Sequence, residues 1–66
     1  MDTGKMLQFI EAHTNDKGYP PTLREVSRYL GIGVTAVIYR RDKLIEQGKL
    51  TYTPGVARSL RVVTDG

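Results

Sequence analysis

Between Arg24 and Arg61 the sequence carries eight cationic side chains, Arg24, Arg28, Arg40, Arg41, Lys43, Lys49, Arg58 and Arg61, against three acids, Glu25, Asp42 and Glu46. Guanidinium and ammonium groups in such excess are suited to binding anions, phosphate above all, through charge-assisted hydrogen bonds. The net charge of the 66 residues is only +3, so the placement of the cations says more than their sum. Thr35, Ala36, Tyr39, Arg40, Lys43 and Gln47 recur at helical spacing with no acid among them, and that face suits a polyanion such as double-stranded DNA. Thr35 and Ala36 stand at a helix start, where side chains reach base edges, for example by apolar contact with a thymine methyl. Tyr39 and Arg40 are expected to read or abut bases. Lys43, Arg28 and Arg58 are expected to neutralise phosphates, and the hydroxyls of Thr22 and Ser27 are further candidate donors to a nucleic-acid backbone. Each has a plainer reading as a cap, a surface tyrosine or a solvated charge.

Other chemistries find little support. The chain has no cysteine and a single histidine, His13, so neither a disulfide framework nor a metal site is expected, and no cofactor. No nucleophile has a base at a plausible spacing, and no carboxylate pair stands where it would share a pocket. Gly31-Ile32-Gly33 lacks the preceding strand of a phosphate-cradling loop. An enzyme is therefore not expected. No apolar run approaches the ~20 residues of a membrane span, and the first residues lack the apolar core of a secretory signal. A cytoplasmic protein with neither membrane nor small-molecule partner is the expectation.

The cationic face needs elements to position it. Met6, Leu7, Phe9 and Ile10 form an apolar stripe over residues 4–14, which predicts a first helix of three turns. Asp2 or Thr3 would cap its start, and Asn15 to Gly18 would end it. His13 falls at the helix boundary with no assigned role. Tyr19-Pro20-Pro21 cannot be helical, because each proline lacks an amide donor and forces its predecessor toward extended angles; Tyr19 is expected to pack beside the prolines. Thr22-Leu23-Arg24-Glu25 fits the reciprocal capping box. A short second helix, Leu23 to Leu30, follows with Leu23, Val26 and Leu30 on one face, and Gly31 sits where a left-handed terminating residue belongs. Two turns are unstable alone in water, so this helix must pack on something. The third helix is predicted from Thr35 to Gln47, capped by Thr35 or Gly33, with Val34, Val37, Ile38, Leu44 and Ile45 inward and Gly48 as its stop.

Beyond Gly48 the period changes to two. Leu50 and Tyr52 alternate with Thr51 and Thr53, then Leu60 and Val62 with Ser59 and Arg61, Val63 extending the second run. This predicts a hairpin with its tip around Thr53 to Arg58, turned by Pro54-Gly55. Thr64 to Gly66 reads as a frayed end or the start of a linker. Three helices followed by a two-stranded hairpin, a mainly α chain with a small β element, is the winged helix-turn-helix order, one domain over residues 1–66. Its second and third helices form the helix-turn-helix.

The run GYPPTLREVSRYLGI, with Phe9-Ile10, Gly18, Pro20-Pro21-Thr22, Glu25-Val26, Leu30-Gly31, Leu44, Gly48 and Leu50 in matching places, resembles the N-terminal DNA-binding domain of the LexA repressor family. Ala57-Arg58-Ser59-Leu60-Arg61 is similar to that family's wing. The resemblance covers nearly the whole chain and implies a repressor-like transcription regulator binding operator DNA, often as a pair of subunits. A second copy of the chain or a fused dimerisation domain is thus an expected partner. The sequence departs from the family in the turn at Ile32-Gly33-Val34, and in Arg41, which takes a leucine's place in the apolar stripe. A buried unpaired guanidinium is costly, so Arg41 must snorkel, pair with an acid such as Glu25, or mark a rotated helix. Nothing in the chain matches the self-cleaving peptidase site, with its Ser/Lys pair, of the full-length repressor. The chain reads as an excised domain or a small stand-alone relative, in a bacterial, phage or plasmid setting. Two other functions fit the same fold: a module that docks on a protein through Tyr39, Tyr29 and Arg40, and non-specific DNA binding in replication or packaging.

Overall fold

Met6 and Ile10 stand one helical turn apart on the same side of a helix, and both are fully buried in the computed structural model, which describes residues 3–63. That helix, α1, spans Thr3–Lys17. It runs past the apolar stripe to the last residue of the expected stop: Asn15 and Asp16 stay helical, and Gly18, at φ 85°, ends it with its N–H on the Thr14 carbonyl at 2.9 Å. The cap expected at Asp2 lies outside the described residues, as does the expected frayed end at Thr64 to Gly66. Pro20 and Pro21 follow, Pro21 fully buried, and set the direction of α2, Leu23–Leu30.

The capping box forms as its spacing predicts. The Glu25 N–H donates to Thr22 Oγ1 at 3.2 Å, and the Thr22 N–H donates to Glu25 Oε1 at 2.8 Å. Gly31 closes the helix in the left-handed region, φ 70°, with its N–H on the Ser27 carbonyl. The Ser27 hydroxyl donates to the Ile32 carbonyl, so it braces the turn.

α3 spans Val34–Glu46. Its cap is Gly33, which offers no side-chain acceptor, so Thr35 lies inside the first turn and is not the cap. Val37 and Leu44 are buried, whereas Val34, expected inward, is 38% exposed. Two very short strands complete the chain: β1, Leu50–Thr51, and β2, Arg61–Val62, antiparallel with Leu50 opposite Val62 and Thr51 opposite Arg61. The pairing is shorter than the alternation predicted, because Ser59 intervenes. Its hydroxyl accepts from the Thr53 N–H at 2.9 Å and lies within donating distance of the Thr53 and Val56 carbonyls, at 3.1 and 2.8 Å. One side chain thus takes up the backbone groups that a longer ladder would pair.

Met6, Ile10, Val26, Val37, Leu44, Leu50 and Leu60 form the core, with Leu7, Phe9, Leu23, Leu30, Ile32, Ile45, Tyr52 and Val62 packed around it. All three helices and both hairpin arms contribute, so the wing arms help build the core. β2 lies along α1 and β1 against α3. α2, too short to stand alone, is held by Val26 between α1 and α3. The architecture is a winged helix-turn-helix.

Candidate nucleic-acid interface

The apolar residues that turn one side of α3 to the core leave the other side outward. Tyr39 is 65% exposed, Thr35 and Lys43 are exposed, and Ala36 and Arg40 are half-buried. Lys43 Nζ sits 5.6 Å from the centre of the Tyr39 ring, so these two form the raised middle of the face. Because Gly33 and not Thr35 caps the helix, the Thr35 side chain is left for other contacts. Arg28 is exposed in the last turn of α2, where the helix dipole favours a cation. Among the described residues, Arg24, Arg28, Arg40, Lys43, Lys49 and Arg61 make no ion pair. Arg24 and Arg61 are exposed as well; the sequence counts them among the cations, but assigns neither of them a contact.

Two arginines are held otherwise. Arg41 is not paired with Glu25. Its Nε and Nη2 donate to Asp42 Oδ1 at 3.1 and 3.0 Å, and its guanidinium lies 4.2 Å from the Tyr52 ring centre. The side chain keeps 14% exposure, so the guanidinium snorkels between an acid and an aromatic face. Val37 and Leu44 still point to the core, and the helix is not rotated. Arg58 takes Glu25 instead: Nη1 donates to Oε1 at 2.9 Å and Nη2 to Oε2 at 3.3 Å, while Nη1 also reaches the Pro20 carbonyl at 3.1 Å. The guanidinium stands 4.7 Å from the Tyr19 ring centre. The Arg58 hydrogen bonds, aided by the Thr22 amide, hold the Glu25 carboxyl well below its ordinary value of 4.5, at about 2.

His13, given no role from sequence, lies behind this cluster at 11% side-chain exposure. Its Nδ1 is 2.9 Å from the Tyr19 carbonyl, which can only accept, so Nδ1 carries the hydrogen. Its ring meets Phe9 and Tyr19 edge-on, and Nε2 lies 3.8 Å from Glu25 Oε1. Phe9 in turn stacks on Tyr29 at 4.2 Å. The sequence holds a partial signal for the group: His13 lies four residues beyond Phe9, one helical turn along. Its approach to Tyr19 and Glu25 is tertiary.

Two faces therefore differ in kind, one with cations uncommitted to local acids and one with its arginine held by an acid, a carbonyl and a ring. No helix among the described residues is long and apolar enough to cross a membrane.

The family model of the LexA DNA binding domain matches residues 4–59, from α1 to the tip of the wing. The LexA repressor of Geotalea uraniireducens is 42% identical over 59 residues, 88% of this chain and 29% of that protein. LexA repressor 2 of Geobacter sulfurreducens is 39% identical over 56 residues, 83% of this chain and 28% of that protein. The LexA repressor of Limosilactobacillus reuteri is 36% identical over 62 residues, 92% and 30%. The chain thus spans less than a third of the length of these curated relatives. Because the match takes in the helix-turn-helix and the wing arginine together, the chain belongs to the LexA DNA binding domain family.

Proposed function

We propose that the chain binds double-stranded DNA in a sequence-dependent way and acts as a repressor-like regulator of transcription. The observation that carries this reading is the outward side of α3, where Tyr39, Arg40 and Lys43 stand together and neither cation makes an ion pair among the described residues. A helix of 13 residues is about 20 Å long and 10–12 Å across with its side chains, a fit for a major groove roughly 12 Å wide. In this pose Thr35, Ala36, Tyr39 and Arg40 reach base edges, and Lys43 and Arg28 meet phosphates on the flanks. The wing lies along the neighbouring backbone. Repression follows from occlusion of polymerase. One copy offers few base contacts, so useful specificity calls for two copies or a fused dimerisation domain. The chain works in the cytoplasm, where its DNA lies.

Selection of bound sequences from a random duplex library, followed by titration of the enriched duplex at several salt concentrations, tests the reading. The expected result is enrichment of a short, defined half-site and an affinity that falls steeply with salt, log K dropping by about 0.9 per neutralised phosphate for each unit of log salt. Salt-dependent binding without enrichment would point to non-specific coating of DNA. No binding at low salt would overturn the proposal. It would favour a protein-docking module, for which the exposed Tyr39 and Tyr29 rings are suitable anchors.

A further inference from the structure

We infer that Arg58 and Glu25 form a latch that fixes the wing against α2, making both of them positioning residues for duplex binding; this rests on the function proposed above. The wing needs such a device. Its ladder has two residue pairs, and a hairpin that short does not hold its own tip in water. Ser59 organises the tip internally, but it ties the tip to no other element. Arg58 does, reaching back 33 residues in sequence to Glu25 and 38 to Pro20.

The geometry is that of a fork on a carboxylate, both terminal nitrogens on the two Glu25 oxygens, an arrangement that fixes orientation as well as distance. Tyr19 stacks beneath the guanidinium. The anchor is itself fastened. Glu25 Oε1 accepts the Thr22 N–H as well as Arg58 Nη1, so the latch closes on the capping box of α2. His13 Nε2, from α1, lies 3.8 Å from the same oxygen. Glu25 stays ionised throughout the ordinary pH range, so the latch has no off state near neutrality.

Three donor contacts of Arg58 are spent within the chain. A phosphate would have to displace a bidentate carboxylate, a carbonyl and a ring to claim it in full. A surface pair contributes little to stability by itself. Its effect is instead to reduce the ordering that the wing must undergo when a duplex arrives.

Simple electrostatics and the latch give opposite forecasts for one substitution. Removing a negative charge from a DNA-binding chain should tighten binding. The latch predicts that Glu25→Gln weakens it, by about three- to tenfold on the enriched duplex, although glutamine also serves a capping box. Arg58→Ala should weaken binding to the same extent, and Glu25→Gln with Arg58→Ala no further than Arg58→Ala alone. Arg58→Lys should fail to rescue, because an ammonium cannot make the fork. The log–log salt slope should stay at the wild-type value in all four variants.

Tighter binding by Glu25→Gln, rescue by lysine, or a salt slope smaller by about one for Arg58→Ala would each overturn the latch and return Arg58 to direct phosphate contact. A second measurement needs no DNA. Amide relaxation by NMR should show residues 55–58 losing order in Glu25→Gln while α2 amides keep theirs; an unchanged tip would overturn the latch. If the wild-type chain binds no duplex, the proposed function falls, and the relaxation result still decides the latch.

Discussion

Arg40 and Arg58 are the same residue type in opposite circumstances. Arg40 lies on the outward side of α3 with no ion pair among the described residues. Arg58 is shared by an acid, a carbonyl and an aromatic ring. Arg41 repeats the second pattern on a smaller scale, with Asp42 and Tyr52. The contrast divides the basic excess into two classes. Cations held by partners within the chain shape the fold, and those left without such partners are the ones an external polyanion can recruit. Net charge does not distinguish them.

The contrast is broken most severely at Arg40. Arg40→Ala is expected to cost about 1–3 kcal/mol on the preferred duplex and much less on random duplex, read by competition titration of the two. Equal losses on both would remove base reading from Arg40. The next largest effect falls on the held side. Thr22→Ala removes the cap on which Glu25 is seated and should lower stability by about 1 kcal/mol, a drop of roughly 4–8 °C in Tm for a domain of this size. A Tm within a degree of wild type would show that the capping box is not a significant support of α2.

The held side can also be probed by acid. The Glu25 carboxyl sits at about 2 in the folded chain against an ordinary 4.5, so ionised Glu25 favours the folded state. That contribution is complete above pH ~4.5 and is lost as the pH falls through about 2. The stability difference between wild type and Glu25→Gln, from urea unfolding, should therefore be constant above pH 5 and shrink toward pH 2. A flat difference over the whole range would mean that the carboxylate charge contributes nothing. The smallest effect is expected at Arg41. Arg41→Leu should leave duplex affinity within about twofold, because this cation is already paired, and should leave stability equal or slightly higher. A tenfold loss of affinity would move Arg41 into the interface.

Local features were the legible ones. Thr22 and Glu25 are three residues apart, so the capping box could be read from spacing, as could the left-handed Gly31 and the inward set of Val37 and Leu44. The outward position of Tyr39 and Lys43 followed from the same helical period. What escaped was of two kinds. Marginal boundaries shifted: of the stop residues Asn15 to Gly18 only Gly18 takes the left-handed backbone, so α1 runs through Lys17, and the strands are cut short by the Ser59 hydroxyl. Long-range choices were invisible. Glu25 is a plausible partner for Arg41 by sequence, yet Arg58, 33 residues away, takes it. The placing of His13 beside Tyr19 and Glu25 depends on how the proline segment crosses α1, which no periodicity encodes.

The chain has four tyrosines and no tryptophan, and this gives the stacking pattern a practical consequence. Tyr29 lies on Phe9, Tyr52 under Arg41 and Tyr19 under Arg58, whereas Tyr39 is the most exposed of the four rings, with Lys43 Nζ 5.6 Å from its centre. Ultraviolet-excited emission from the native chain is therefore tyrosine emission alone. The ring best placed to be quenched by a stacked or adjoining base is the one at the centre of α3, so the unlabelled protein carries its own optical reporter of contact at that face.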